Sequence, residues 1–172
     1  MEKEQKKDNS KETLEAIFDS VRDGLVMLDK TGKITKISES LIEIGGYPKE
    51  ELIGKRLKFM TMFTPKSLAQ MMMNFIRTIA DNEIMPYEVE GMTKDGKKLF
   101  AEISGSPLKV QGKIIGVVAV FRDITEKKTT EEELKEKNED LEKFNKFAVG
   151  RELKIIELKN KIKELEKKLE RK

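Results

Sequence analysis

The sequence predicts an α+β fold, a five-stranded antiparallel sheet with helices on one face, continued by one long C-terminal helix that forms a coiled coil. Three observations predict it. Two apolar runs joined by a tight turn are followed by a helical stretch and then by three more apolar runs, the order ββ-ααα-βββ. The last run, Gly116-Val117-Val118-Ala119-Val120-Phe121, stops at Arg122-Asp123-Ile124-Thr125. From Glu126 to Lys172 there is no proline and one glycine, Gly150, and from Glu131 the apolar period becomes seven. A strand therefore feeds directly into a long polar helix.

Each element has its own justification. Residues 1–9 are charged and read as a disordered tail. Asn9 or Ser10 caps a first helix, whose stripe Leu14, Ile17, Phe18 and Val21 has the spacing of one buried face. Gly24–Leu28 is a short strand, Asp29-Lys30-Thr31-Gly32 a turn and Lys33–Ser38 the returning strand. Two short helical pieces, LIEI and PKEELIG, are separated by Gly45-Gly46, with Pro48 opening the second. Pro65 starts a helix reaching Asp81, with Leu68, Met72, Phe75 and Ile79 at helical spacing. The remaining strands are expected over Met85–Met92, Lys98–Ser104 and Lys113–Phe121, with turns at Lys94-Asp95-Gly96 and Val110-Gln111-Gly112.

Composition limits the chemistry. Charged residues make up 39% of the 172 and hydrophobic residues 37%, which suits one core plus an exposed helix. The net charge is +3 with both signs interspersed, so no basic face for nucleic acid is expected. Cysteine, histidine and tryptophan are absent, which removes disulfides, thiolates and the commonest general base and metal ligand. The N-terminus is too polar for a signal peptide and no apolar run is long enough to span a membrane, so a cytoplasmic location is expected. No nucleophile–base pair, phosphate loop or metal-spaced acid set appears, and no enzymatic activity is expected.

Five features stand in register: Asp23-Gly24, the hairpin Asp29–Ile34, the stretch Ile44–Lys55, Lys94-Asp95-Gly96 and the closing Asp123-Ile124-Thr125. Together they resemble a PAS domain over residues 10–125, with Ser38 where many such domains have Asn before the first central helix. The resemblance implies a sensory or signal-transfer module with a pocket between sheet and helices. By that resemblance and strand alternation, the candidate lining is Val26, Leu28, Leu41, Ile44, Met60, Leu68, Met72, Phe75, Val118 and Val120. The same residues also make a packed core, which is the default reading of apolar residues at strand and helix spacing. Haem ligated by His is disfavoured because the chain has no His. Flavin that forms a Cys adduct is disfavoured because Leu57 occupies the adduct position of Gly54-Lys55-Arg56-Leu57-Lys58-Phe59. Methionines gather between Met60 and Met92, as gap-fillers or as an adaptable wall.

Residues 126–172 are expected to pair as a parallel coiled coil in a homodimer. Leu134, Leu141, Ala148, Ile155, Ile162 and Leu169 recur at intervals of seven as a positions, with Phe144, Leu158 and Leu165 among the d positions. Lys137 and Arg151 fall on the same seam, and Gly150 costs about 1 kcal/mol in a helix interior. That fault reads as a hinge or as a merely imperfect coil. Gly150-Arg151-Glu152-Leu153-Lys154 resembles the core of a histidine-kinase dimerisation helix with Arg151 in the phosphoacceptor position, which removes that chemistry. At the hand-over, Asp123 is expected to pair with a hairpin base such as Lys33, and Thr125 to cap or orient the helix. The competing readings are a sensor that relays a change to a partner or missing downstream domain, a constitutive dimerisation scaffold, and a zipper-type DNA reader. The acidic stretch before the coil argues against the last.

Overall fold

The alternating apolar runs pair as the hairpin turns dictate. This is a computed structural model that describes residues 12, 13, 15–82 and 84–169, without the side chains of residues 164, 165 and 167–169. Strands β1 (Gly24–Asp29) and β2 (Ile34–Ile37) form the first hairpin, and β3 (Tyr87–Met92), β4 (Lys98–Val110) and β5 (Lys113–Asp123) form a meander. The sheet order is β2-β1-β5-β4-β3, with antiparallel pairing throughout, so the first and last strands in the chain lie side by side at its centre. Between them run α1 (Glu39–Gly45), α2 (Lys49–Leu52), a 3₁₀ turn (Leu57–Phe59) and α3 (Pro65–Ile79). Helix α4 (Thr125–Leu169) follows β5 and runs unbroken through Gly150.

Local chemistry explains the joints. The Asp29 carboxylate accepts from the Thr31 and Lys33 backbone N–H groups and from the Thr31 hydroxyl, closing the first turn and lowering its own pKa. Ser38 is fully buried, and its Oγ accepts from the Leu25 N–H at 2.8 Å and from the Leu41 N–H at 3.4 Å. It thereby caps α1 and anchors the start of β1 with one atom. Gly46 takes φ 71° to end α1, and its N–H returns to the Ile42 carbonyl. Gly116 in β5 passes so close to β1 that a Cβ there would lie 2.0 Å from the Leu28 carbonyl oxygen.

Several boundaries differ from the sequence expectation. Strand β4 does not stop at Ser104 but continues through Pro107 to Val110, and β3 begins at Tyr87 rather than Met85. A bulge between Leu108 and Lys109 accompanies that extension on the β5 side. Residues 12, 13 and 15–20 are helical, but the expected stripe is not buried: Ile17 and Val21 are exposed, and Phe18 sits half-buried beneath the Lys36 ammonium at 4.5 Å. Leu14 and the expected disordered tail, residues 1–9, lie outside the described residues.

The core lies between the sheet and α1–α3. Val26, Leu28, Ile34, Ile37, Ile103, Val117 and Phe121 from the sheet meet Leu52, Leu57, Met60 and Met71. By chain contacts the molecule divides into two compact units, residues 1–126 and 127–172.

Candidate functional site

The strands' inward residues and the helices above them do not close completely. They enclose a cavity of about 90 Å3. No charged side chain lines it, and its polar wall consists of Asn74, Thr78, Tyr47 and Tyr87. Two of these groups already donate elsewhere: the Thr78 hydroxyl to the Asn74 carbonyl at 2.9 Å, and the Tyr47 hydroxyl to the Met92 carbonyl at 3.2 Å. Burial pushes the Tyr87 pKa up to about 12, against a smaller lowering by the nearby Asn74 side chain. Among the described residues no buried side-chain polar atom lacks a partner. One rim of the cavity is where the α1–α2 segment meets the β3–β4 turn. There the Lys94 N–H donates to the Gly45 carbonyl at 2.9 Å, and the Lys94 ammonium pairs with Glu51.

Of the candidate lining residues, Val26, Leu28, Leu41, Ile44, Met60 and Phe75 stand on this cavity. Four do not. Val118 and Val120 lie on the opposite face of β5, because Val117, Ala119 and Phe121 point inward. Arg122 held the missing signal: a solvent-facing charge in a strand puts residues two and four positions earlier on its own face. Leu68 and Met72 pack on the core but not on the cavity, since α3 turns Met71, Asn74, Phe75 and Thr78 toward it. The inner face of α3 includes Ser67 and Thr78, polar residues that an apolar stripe passes over. Both are buried because both have partners, Ser67 Oγ accepting from the Glu90 N–H at 2.8 Å. Lining residues missed in the sequence include Met62, Phe63, Met92 and Tyr87, which come from loop ends and from the edge strand.

The exit from β5 is built differently from expectation. Asp123 does not pair with Lys33. Lys33 precedes Ile34, which is opposite Leu28, and Leu28 is opposite Val117, whereas Asp123 lies two residues beyond Phe121, the partner of Gly24. The two residues thus lie toward opposite ends of the sheet. Instead, the Asp123 carboxylate accepts from the Thr125 N–H at 2.8 Å. Thr125 Oγ1 accepts from the Phe100 N–H at 3.0 Å and donates to the Phe100 carbonyl at 3.3 Å, tying the first residue of α4 to β4. The Ile124 N–H also donates to that carbonyl, at 2.9 Å. At this end Arg122 pairs with Asp23 at 3.0 Å and more loosely with Glu102 at 3.9 Å, and chiefly the Asp23 carboxylate holds the Arg122 pKa above its ordinary value.

Along α4, the residues of the expected seam, Leu134, Leu141, Phe144, Ile155, Leu158 and Ile162, are all exposed. So are Phe147, Val149, Leu153 and Ile156, which lie off the seam near Gly150. The side chains of Leu165 and Leu169 lie outside the described residues. Among the described residues, no helix is long and apolar enough to cross a membrane, and no cluster of His, Cys, Asp and Glu has the makings of a metal site.

Comparison with known proteins gives the same outline. The family model for the PAS domain matches residues 22–126. The chain is 30% identical over 130 residues to the cell-division control histidine kinase PdhS of Brucella ovis, a match covering 72% of this chain and 12% of that protein. The chain therefore spans about an eighth of the curated relatives it matches. Among solved structures, it is similar to the PAS domain of a protein from Colwellia psychrerythraea, with a TM-score of 0.58 and 23% identity over 67% of this chain and 97% of that one. It is also similar to the PAS domain of an HTR-like protein from Haloarcula marismortui, with a TM-score of 0.54 and 22% identity over 72% and 98% of the two chains.

Proposed function

Because the chain belongs to the PAS domain family, we propose that it is a non-catalytic sensory module that dimerises through α4 and relays a change of sheet shape along that helix. The observation that carries this reading is the strap at the exit, where Thr125, the first residue of α4, is hydrogen-bonded to both the N–H and the carbonyl of Phe100 in β4. A shift of β4 relative to β5 then acts on the start of the helix directly.

Dimerisation is supported by the exposed seam from Leu134 to Ile162. Ile at a with Leu at d in its second half favours two parallel strands. The output passes to a partner protein or to a downstream domain. The segment Gly150–Lys154 is a degenerate histidine-kinase-like stretch in which Arg151 accepts no phosphate, and a chain without Cys suits a reducing cytoplasm.

The absence of native cysteine makes the test clean. Single cysteines at Leu141, Ile155 and Ile162 are expected to form intermolecular disulfides, while one at Glu157, on the far side of the helix, is not. Thr125→Val is expected to redistribute those yields. A chain that sediments as a monomer at micromolar concentration, with no preference for seam positions, would overturn the proposal. A dimer whose yields ignore Thr125→Val would leave a constitutive scaffold.

A further inference from the structure

We propose that, on this sensory reading, the cavity takes a compact, uncharged, apolar molecule no larger than a single unsubstituted ring. Size sets the upper bound. The space is about 90 Å3, against roughly 150 Å3 for an engineered apolar cavity that stays dry and admits benzene. A fused-ring cofactor does not fit that space, and a single ring needs modest widening.

The wall supplies that adjustment. Met60, Met62, Met71 and Met92 all border the cavity. Unbranched thioether side chains change rotamer at low cost and make favourable sulfur contacts with ring edges. Phe63, Phe75 and Phe121 complete an aromatic wall around them.

The electrostatics set the class. With no charged lining residue, an ionised ligand would lose its hydration without gaining a partner. The Thr78 and Tyr47 hydroxyl protons are already given to the Asn74 and Met92 carbonyls, so a ligand acceptor would have to compete for them. Neutral apolar molecules incur neither cost.

The methionines also provide the assay. In the full chain labelled at the methionine methyl carbons, benzene and xenon are each expected to shift Met60, Met62 and Met71 saturably. Met73 and Met85, 64% and 79% exposed, are expected to stay in place as internal controls. Benzoate and naphthalene are expected to leave all five unmoved. Ala119→Ile places a larger side chain at the cavity wall and is expected to abolish the shifts. If that variant fails to fold, Gly105→Ala serves, since its added Cβ would meet Ile84, Val117 and Thr78 at 3.5–3.8 Å, ordinary contact distances, and is expected to weaken binding.

Equal shifts at cavity and exposed methionines, no shift with either benzene or xenon, or binding of benzoate or naphthalene would each overturn the proposal. Failure here is separable from failure of the relay. Disulfide yields along α4 that respond to Thr125→Val without any ring binding would keep the relay and discard the ligand class. Ring binding with fixed yields would do the reverse.

Discussion

Replacing Ser38 by Ala removes one atom that holds two elements. Its Oγ accepts from the Leu25 N–H at the start of β1 and from the Leu41 N–H in the first turn of α1, at a fully buried position. Loss of a helix N-cap costs about 1 kcal/mol. A buried donor left without a partner costs a further 1–3 kcal/mol, roughly. Alanine keeps the backbone and nearly the same volume, so little is recovered by repacking, and the expected loss is about 2–4 kcal/mol. For a domain of roughly 100–150 residues, a loss in that range lowers Tm by roughly 10 °C. Urea unfolding of the full chain, followed by circular dichroism in the region that reports the sheet, measures the loss with the slope expected to stay constant. Ser20→Ala is the control, because Ser20 Oγ donates to the exposed Ile17 carbonyl, which water can serve instead. If Ser38→Ala lost no more than Ser20→Ala, the double anchor would not be what holds β1 to α1.

Other outcomes follow from the same geometry. Gly116→Ala forces a Cβ against the Leu28 carbonyl and is expected to destabilise the sheet by about 3 kcal/mol, read by urea unfolding. Gly150→Ala meets nothing within 4 Å and is expected to stabilise α4 by about 1 kcal/mol, raising helical ellipticity on heating. Lys97 and the Thr93 hydroxyl hold the Asp95 carboxyl down to about 2. A depressed carboxyl contributes stability above its ordinary value near 3.8 and loses it as pH falls toward 2. The β3–β4 turn is therefore expected to loosen only in that window, as carboxyl chemical shifts would report; a midpoint at the ordinary value would refute the contact.

What the sequence disclosed depended on how local the cause was. The hairpin at Asp29–Gly32 and the end of α1 at Gly46 are settled within a few residues, and both were legible as turn chemistry. The inward face of β5 was not, because Val117 and Val118 are the same residue type and alternation alone gives no phase. Arg122 carried the phase, but only once it was taken as a solvent-facing charge. Ser67 and Thr78 escaped because a polar side chain reads as exposed until its partner, the Glu90 N–H or the Asn74 carbonyl, is known. The exit pair was out of reach for a stronger reason. Asp23 and Arg122 are 99 residues apart, and only the register of β1 against β5 brings them together.

The close passage of Gly116 against β1 has a mechanical consequence. Near the start of β5 the backbone rests against the Leu28 carbonyl, and at its end Asp23, Arg122 and the Thr125 strap hold it. A beam clamped at both ends cannot slide along its length. The deformations left to it are twist and bowing, so the relay proposed above would reach Thr125 as torque rather than as a push.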